Sequence, residues 1–511
     1  MDYPPRIGHW LSRIRRTVFT VVLPLVTGLV SAIVTPNVVQ AQSVTTLLNF
    51  CGITSCLPGN EPYGLLQAID GDFYGVTQGG GPNTNATLCP AGCGTAFKIT
   101  VSGKLTTLYS FCAHAGCTDG ESPSGNLVQA IDGDFYGTTM GGGANAAGSV
   151  FKMTADGSVS TLYSFCSQPN CTDGTGPSGI IQVANGDFYG TTSVGGANVS
   201  ESCPQDGCGT VFKISPSGTL TTLYNFCSQP GCTDGDDPHL GLIQAANGDL
   251  YGTTFYGGNN GAGTVFKITL GGALTTLHIF DAADGVHPMG LIQAINGDIY
   301  GTTYQGGGNS HVDICPIGCG TLFDIAPDGT LTTLYNFCRQ TNCADGSGPN
   351  GVVQASNGNV YGSTDLGGTD SYTGTLFEMT TKGALTTLYS FDGADGFYPG
   401  WLTQATNGNI YGTTSIGGAS GGGTVFQLST GIDPFVEIQP TAGQVGSPVT
   451  IVGENLTGSI SVTFNGTAAQ FTVISRAKIM TAVPIGATTG YVGVTTPRGR
   501  LESNRPFVVR P

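Results

Sequence analysis

The residues whose type and spacing most directly suggest chemistry are sixteen cysteines, each with a partner only three or four intervening residues away. Five pairs follow an apolar run of the LTTLYSF kind: Cys51/Cys56, Cys112/Cys117, Cys166/Cys171, Cys227/Cys232 and Cys338/Cys343. Three more sit inside Gly-rich stretches: Cys89/Cys93, Cys203/Cys208 and Cys315/Cys319. An even count with short, regular spacing is the pattern of local disulfides in an oxidising compartment. Pro and Gly within CPAGC and CPIGC permit the tight turn that brings two sulfurs together. Paired thiolates at such spacing also ligate zinc, and pairs from neighbouring loops can cross-link. The eight local pairs are the reading adopted, because the chain carries an export signal, described below, and few histidines.

Other candidate groups recur with the cysteines. Asp-Gly-x-x-Pro segments place a carboxylate at Asp119, Asp173, Asp234, Asp284, Asp345 and Asp395. Repeated carboxylates suit Ca²⁺, which takes oxygen ligands, and Asp is equally a turn former. No other cofactor is suggested. Aromatic residues in the same entry loops, Tyr63, Phe397, Tyr398 and Trp401, are candidate ligand contacts. Catalytic signals are sparse. His114, His239, His278, His287 and His311 form no metal-binding helix motif, and no nucleophile elbow or phosphate-cradling loop occurs. A carboxylate pair for glycoside cleavage, whose members need not be adjacent in sequence, stays open.

The elements that must position these groups are legible as repeats. A Tyr-Gly pair recurs at Tyr74, Tyr136, Tyr189, Tyr251, Tyr300, Tyr361 and Tyr411, with loop insertions in units one, three and five. Such a period signals a solenoid, propeller or array. Each unit holds four short strands; in the second they cover 125–130, 135–139, 149–154 and 159–165. Asp132-Gly133-Asp134 joins the first two and Ala155-Asp156-Gly157 the last two, supplying the positive φ that tight hairpins need. The result is a four-stranded antiparallel meander. Residues 44–50 form a lone fourth-type strand, and the last unit, with strands at 401–405, 410–414 and 423–429, lacks one. That complementary deficit predicts an all-β, seven-bladed propeller closed by the N-terminal strand. In a meander blade the loop entering the first strand and the loop joining second to third emerge on one face. All sixteen cysteines therefore share a face with the most variable loops, where binding usually resides.

Charge narrows the partners. The formal net charge is −16, and the Arg6, Arg13, Arg15, Arg16 cluster and the slightly basic C-terminal segment leave the repeats at −21 with Arg339 their only arginine. That field repels phosphate backbones, so nucleic acid is not an expected partner. Residues 1–41 read as a signal peptide: a basic n-region, an apolar stretch at 17–34, and Val39-Gln40-Ala41 before cleavage. The alternative is an uncleaved anchor helix. The expected mature chain has no membrane span and is secreted, on the cell surface or periplasmic.

The recurring GLIQA (241–245), NGDFYGTT (185–192), GTVFKIT (263–269) and LTTLYSF (105–111) segments resemble the GloVer tandem repeat of exported bacterial "choice-of-anchor" proteins, over about 44–430. The resemblance implies an exported repeat protein without an assigned activity. Such proteins often end in an anchoring tail, whereas residues 505–511 offer no hydrophobic span. The segment 432–511 resembles an IPT/TIG domain, an immunoglobulin-like sandwich, through VTIVGENL (449–456), VTFNG (462–466) and GATTG (486–490). Such domains often serve as spacers or adhesion modules. The organisation expected is a signal peptide at 1–41, the propeller at 42–431 and the Ig-like domain at 432–511. The expected function is non-enzymatic recognition or adhesion of an extracellular glycan or protein through the cysteine-rich face. A glycan-active hydrolase or lyase and a structural envelope component are the alternatives.

Overall fold

A computed structural model describes residues 42–510 apart from 52–55, 88, 202 and 204–206; the signal segment lies outside the described residues. Seven four-stranded antiparallel sheets follow one another, six of them ordered as consecutive strands. The second blade comprises Glu121–Gln129, Phe135–Gly141, Ser149–Met153 and Val159–Ser164. The seventh is completed by the N-terminal strand Ser43–Cys51, which runs antiparallel to Gly421–Ser429 from Ser43↔Ser429 to Cys51↔Gly421. First strands of successive blades touch around the ring, including Phe397–Gln404 against Asn60–Gln67 where it closes. They are thus the innermost strands, and they surround the axis. Blade four has the shortest of them, Ile243–Gln244.

The repeat motifs explain how blades adhere. The Phe ending each fourth strand packs edge-on or tilted against the third-strand Phe of the next blade. Phe111 meets Phe151, Phe165 meets Phe212, and Phe50 meets Phe97 across the closure, with centroids 5.1–5.3 Å apart. These rings are fully buried, and truncating one costs roughly 3–5 kcal/mol. The glycine of Tyr-Gly makes room for that ring: a Cβ on Gly137 would lie 2.6 Å from Phe151 Cζ. The tyrosine is packing material, with Tyr136 1% exposed and its hydroxyl bonded to Asp132 at 2.7 Å. In six of the seven blades a glutamine at the end of the first strand reaches the neighbouring blade; Ile69 N–H donates to Gln129, and Thr406 N–H to Gln67 across the closure.

The C-terminal segment forms two four-stranded sheets. One orders Val436–Gln439, Pro448–Gly453, Lys478–Ala482 and Phe471–Val473; the other orders Thr467–Ala469, Ser461–Phe464, Val492–Thr496 and Gly499–Glu502. Val436, Ile451, Phe464, Ile479, Val494 and Phe507 fill the space between them. Three of these strands, at 436–439, 467–469 and 499–502, are short and partly polar. The sandwich meets the propeller at the turns between first and second strands. Phe435 N–H donates to Thr406 O at 2.9 Å, and Ala477 packs near Gly71. The opposite face is left to the cysteine loops.

Candidate functional site

Eight disulfides join the pairs read from sequence, with Cα–Cα distances of 4.0–5.4 Å: Cys51–Cys56, Cys89–Cys93, Cys112–Cys117, Cys166–Cys171, Cys203–Cys208, Cys227–Cys232, Cys315–Cys319 and Cys338–Cys343. Each lies in a loop entering a first strand or joining second to third strands, so all eight share the face away from the Ig-like domain. Neighbouring pairs meet where a unit has both kinds of loop. The sulfurs of Cys89, Cys93, Cys112 and Cys117 lie within 4.8 Å of one another, as do those of Cys315, Cys319, Cys338 and Cys343. Cys51/Cys56 and Cys166/Cys171 belong to no such group among the described residues, so the cross-linked and zinc alternatives have no geometry at these four cysteines.

At Cys56 and Cys171 the disulfide loops serve the scaffold. Cys56 is only 1% exposed, and Cys171 is half-buried at the end of the short turn Pro169–Cys171. Their carbonyls are spent on the scaffold. Cys56 O accepts from Gly59 N–H at 3.2 Å and from Gly81 N–H at 2.7 Å, and Cys171 O accepts from Gly174 and Gly196, both at 2.9 Å. Each thereby ties the loop entering a blade to the loop between that blade's second and third strands. A small disulfide ring holds each carbonyl where two backbone donors converge.

Four of the six loop aspartates are buried in the scaffold, and all six are bonded within their own loops. Asp119, Asp173, Asp234 and Asp345 are at most 3% exposed. Asp119 accepts from Tyr109 O–H at 2.8 Å and from the N–H groups of Ala113 and His114 at 2.9 and 3.1 Å; the other three repeat the pattern. Burial and the adjacent carboxylate push the tyrosine hydroxyl up, to about 12 at Tyr163 and Tyr224. In the loops without cysteine, Asp284 bonds His278 at 2.7 Å and Asp395 bonds Tyr389. These carboxylates button the loop onto its blade. A Ca²⁺ ion there would have to displace the donors that hold the loop.

The chain then does the same thing seven times. A glycine before each third strand, φ 89–96°, lies so close to the next blade's proline that its Cβ would sit 2.5–2.7 Å from Pro Cδ. The residue preceding that proline is left-handed in every blade: Glu61, Ser122, Gly176, Asp237, His287, Gly348 and Tyr398, with φ of 48–63°. Left-handed backbone at non-glycine residues is costly and is kept where surrounding structure imposes it. Here the imposing bond comes from the previous blade's loop. Ser122 N–H donates to Cys93 O, Asp237 N–H to Cys208 O and Gly348 N–H to Cys319 O, at 2.9–3.2 Å. In blades one, three and five a disulfide-bonded cysteine thus holds the backbone of this residue in the next blade. One repeated device sets this backbone in all seven blades, and in five of them the position carries a side chain: Glu61, Ser122, Asp237, His287 and Tyr398.

Within that ring lies a pocket of about 310 Å³, at the small end of ligand sites. It is lined by Tyr63 of blade one, Met289 of blade five, Asn350 and Asp365 of blade six, and Tyr398, Trp401, Thr413 and Ser415 of blade seven. Blades five and one are not neighbours, so residues from both can meet only at the axis. Trp401 replaces a glycine of the repeat, and its indole spans the gap left by Gly290 and Gly351 in blades five and six; a Cβ on either would collide with it. Asn350 donates to Asp365 at 2.6 Å and to Pro399 O at 2.9 Å. Burial pushes the Asp365 carboxyl up to about 6, against the opposing hydrogen bonds from Asn350 and Tyr304. Burial likewise raises Tyr63, offset in part by its hydrogen bond with Trp401.

Three residues singled out from sequence, Tyr63, Tyr398 and Trp401, are therefore brought together. Phe397 is not: it packs over Gly393 and Gly417 beside the pocket. Sequence reading missed Asp365, Asn350, Tyr304 and Met289. The signal was present, since Asp365 and Tyr304 occupy the position after Gly-x-Thr of the second strand that reads Gln78, Met140, Ser193, Phe255 and Ser415 elsewhere. Among the residues lining the pocket Asp365 is the one carboxylate, and none is lysine or arginine.

The sequence pattern of the Gloeobacter/Verrucomicrobia repeat matches residues 34–231, 89–315 and 315–450, and that of the IPT/TIG domain matches 435–507. No curated protein matches the chain. Among solved structures it is similar to a catalytically inactive virginiamycin B lyase from Staphylococcus aureus with quinupristin, at 14% identity and TM-score 0.50, over 76% of this chain and 99% of that one. It is also similar to a fungal alcohol oxidase of the AA5 family in complex with copper, at 14% identity and TM-score 0.51, over 92% and 99%. At this identity the likeness is one of fold.

Proposed function

Because the chain belongs to the Gloeobacter/Verrucomicrobia repeat family and carries an IPT/TIG domain, we propose that it is an exported, non-enzymatic recognition protein, binding an extracellular glycan or protein at the axial mouth of its disulfide-stapled face. The observation carrying this reading is the axial pocket with aromatic walls, on the face where seven left-handed positions share one backbone and carry five different side chains and two glycines. A scaffold that fixes the backbone and varies the side chain suits recognition. Eight disulfides suit an oxidising compartment outside the cytoplasm, and no helix among the described residues is long and apolar enough to cross a membrane. The Ig-like domain occupies the other face and is free to act as spacer. Glycoside cleavage uses two carboxylates flanking the bond, whereas one lines this pocket, which favours binding over turnover.

The test is a glycan array probed with purified residues 42–511, with and without Ca²⁺, alongside Tyr63→Ala and Tyr398→Ala. Binding that the two variants abolish supports the reading. Hydrolysis of a bound oligosaccharide would replace it with the enzymatic alternative, and silence on glycans and extracellular proteins alike would leave a structural envelope role.

A further inference from the structure

The chemistry of the axial pocket narrows what it can hold. Three aromatic rings, Tyr63, Tyr398 and Trp401, wall it, and Asp365 supplies its one carboxylate. The hydrogen-bond partners of Asp365 are Asn350 and Tyr304, both neutral. No ion pair among the described residues includes it. The repeats hold seven basic residues, Lys98, Lys104, Lys152, Lys213, Lys267, Arg339 and Lys382, and none lines the pocket. A half-buried carboxylate without a counter-cation is costly to keep, and the field of a repeat region at −21 adds to the negative potential. Aromatic faces attract cations through the ring quadrupole, most strongly where water is excluded.

We propose that the axial pocket takes an alkylammonium group of an extracellular ligand, its charge against Asp365 and its methyl or methylene groups against Tyr63, Tyr398 and Trp401. The proposal rests on the reading that the axial mouth is the binding site, and it names the ligand's chemistry. A neutral sugar would satisfy the aromatic walls and leave the carboxylate uncompensated. An anionic ligand would meet Asp365 with like charge.

Trp401 makes the test direct, being the one tryptophan in residues 42–511. Its fluorescence is titrated with choline and with 3,3-dimethylbutan-1-ol, the neutral carbon analogue of the same shape. Choline is expected to give a saturable change, with the alcohol roughly tenfold weaker. Asp365→Asn should abolish the preference for choline while leaving the alcohol's affinity in place. Tyr398→Ala, at a rim residue 36% exposed, should weaken choline without unfolding the chain. Comparing free choline with phosphatidylcholine vesicles in a sedimentation assay tells a soluble ligand from a lipid headgroup. Equal affinity for choline and the alcohol, or a preference that survives Asp365→Asn, overturns the ammonium assignment. A neutral glycan that perturbs Trp401 when choline does not would overturn that assignment too, and leave the axial binding site standing. If array ligands bind with Trp401 unperturbed and Tyr63→Ala and Tyr398→Ala without effect, the axial site itself falls.

Discussion

Replacing Asp365 by asparagine should make the protein more stable at neutral pH, the reverse of what most substitutions at a buried polar position do. Burial raises the Asp365 carboxyl from 3.8 to about 6. Between those values the folded state binds a proton that the unfolded state has released, so stability falls as pH rises through the window and stays lower above it. Two pK units correspond to about 3 kcal/mol; because the side chain is partly accessible, we discount this to roughly 1.5–3 kcal/mol. Asparagine keeps the shape and the acceptor for Asn350 and carries no charge to desolvate. The assay is thermal and urea unfolding of wild type and Asp365→Asn at pH 8 and pH 4. The expected gain at pH 8 is 1–2 °C per kcal/mol, roughly, for a chain of this size, and it should shrink to about a fifth at pH 4, where the folded carboxyl is neutral. A variant less stable than wild type at pH 8 would refute the claim that this carboxylate is held at a cost to the fold. A residue that destabilises its own scaffold and lines a pocket is the usual exchange of stability for function.

The remaining predictions concern the scaffold that presents the pocket. Phe151→Ala removes a fully buried ring between blades one and two and should destabilise by about 3–5 kcal/mol, read from the urea midpoint. Cys89→Ser with Cys93→Ser opens a ring worth about 2 kcal/mol in the loop-entropy account; hydrogen exchange should rise at Ser122, whose N–H Cys93 O accepts. Gly351→Val places a side chain where the indole of Trp401 now lies. It should shift Trp401 emission to longer wavelength and cost about 1–3 kcal/mol through overpacking.

Much of this protein is local and therefore legible in one dimension. Disulfide partners four or five positions apart, Asp-Gly hairpins, and the Tyr-Gly and Phe positions of each blade all act over a few residues or repeat in register. Their spacing alone yields seven blades, the N-terminal strand that closes them and the face that carries the cysteines. The IPT/TIG sandwich is legible for the same reason. What stays hidden is anything decided at the axis. Tyr63 and Trp401 are separated by most of the propeller's length, and Asp365 joins them only once the ring has closed. The loop aspartates mislead in the opposite sense. Their repetition resembles a set of ligands, yet each is engaged by a tyrosine or, at Asp284, a histidine, and by N–H groups of its own loop, which no spacing displays. At Cys56 and Cys171 spacing reveals the bond each makes and not the two glycine N–H groups from which each carbonyl accepts. Local turn chemistry and side-chain periodicity set the blades. Circular closure, which brings residues hundreds of positions apart within one pocket, sets the site.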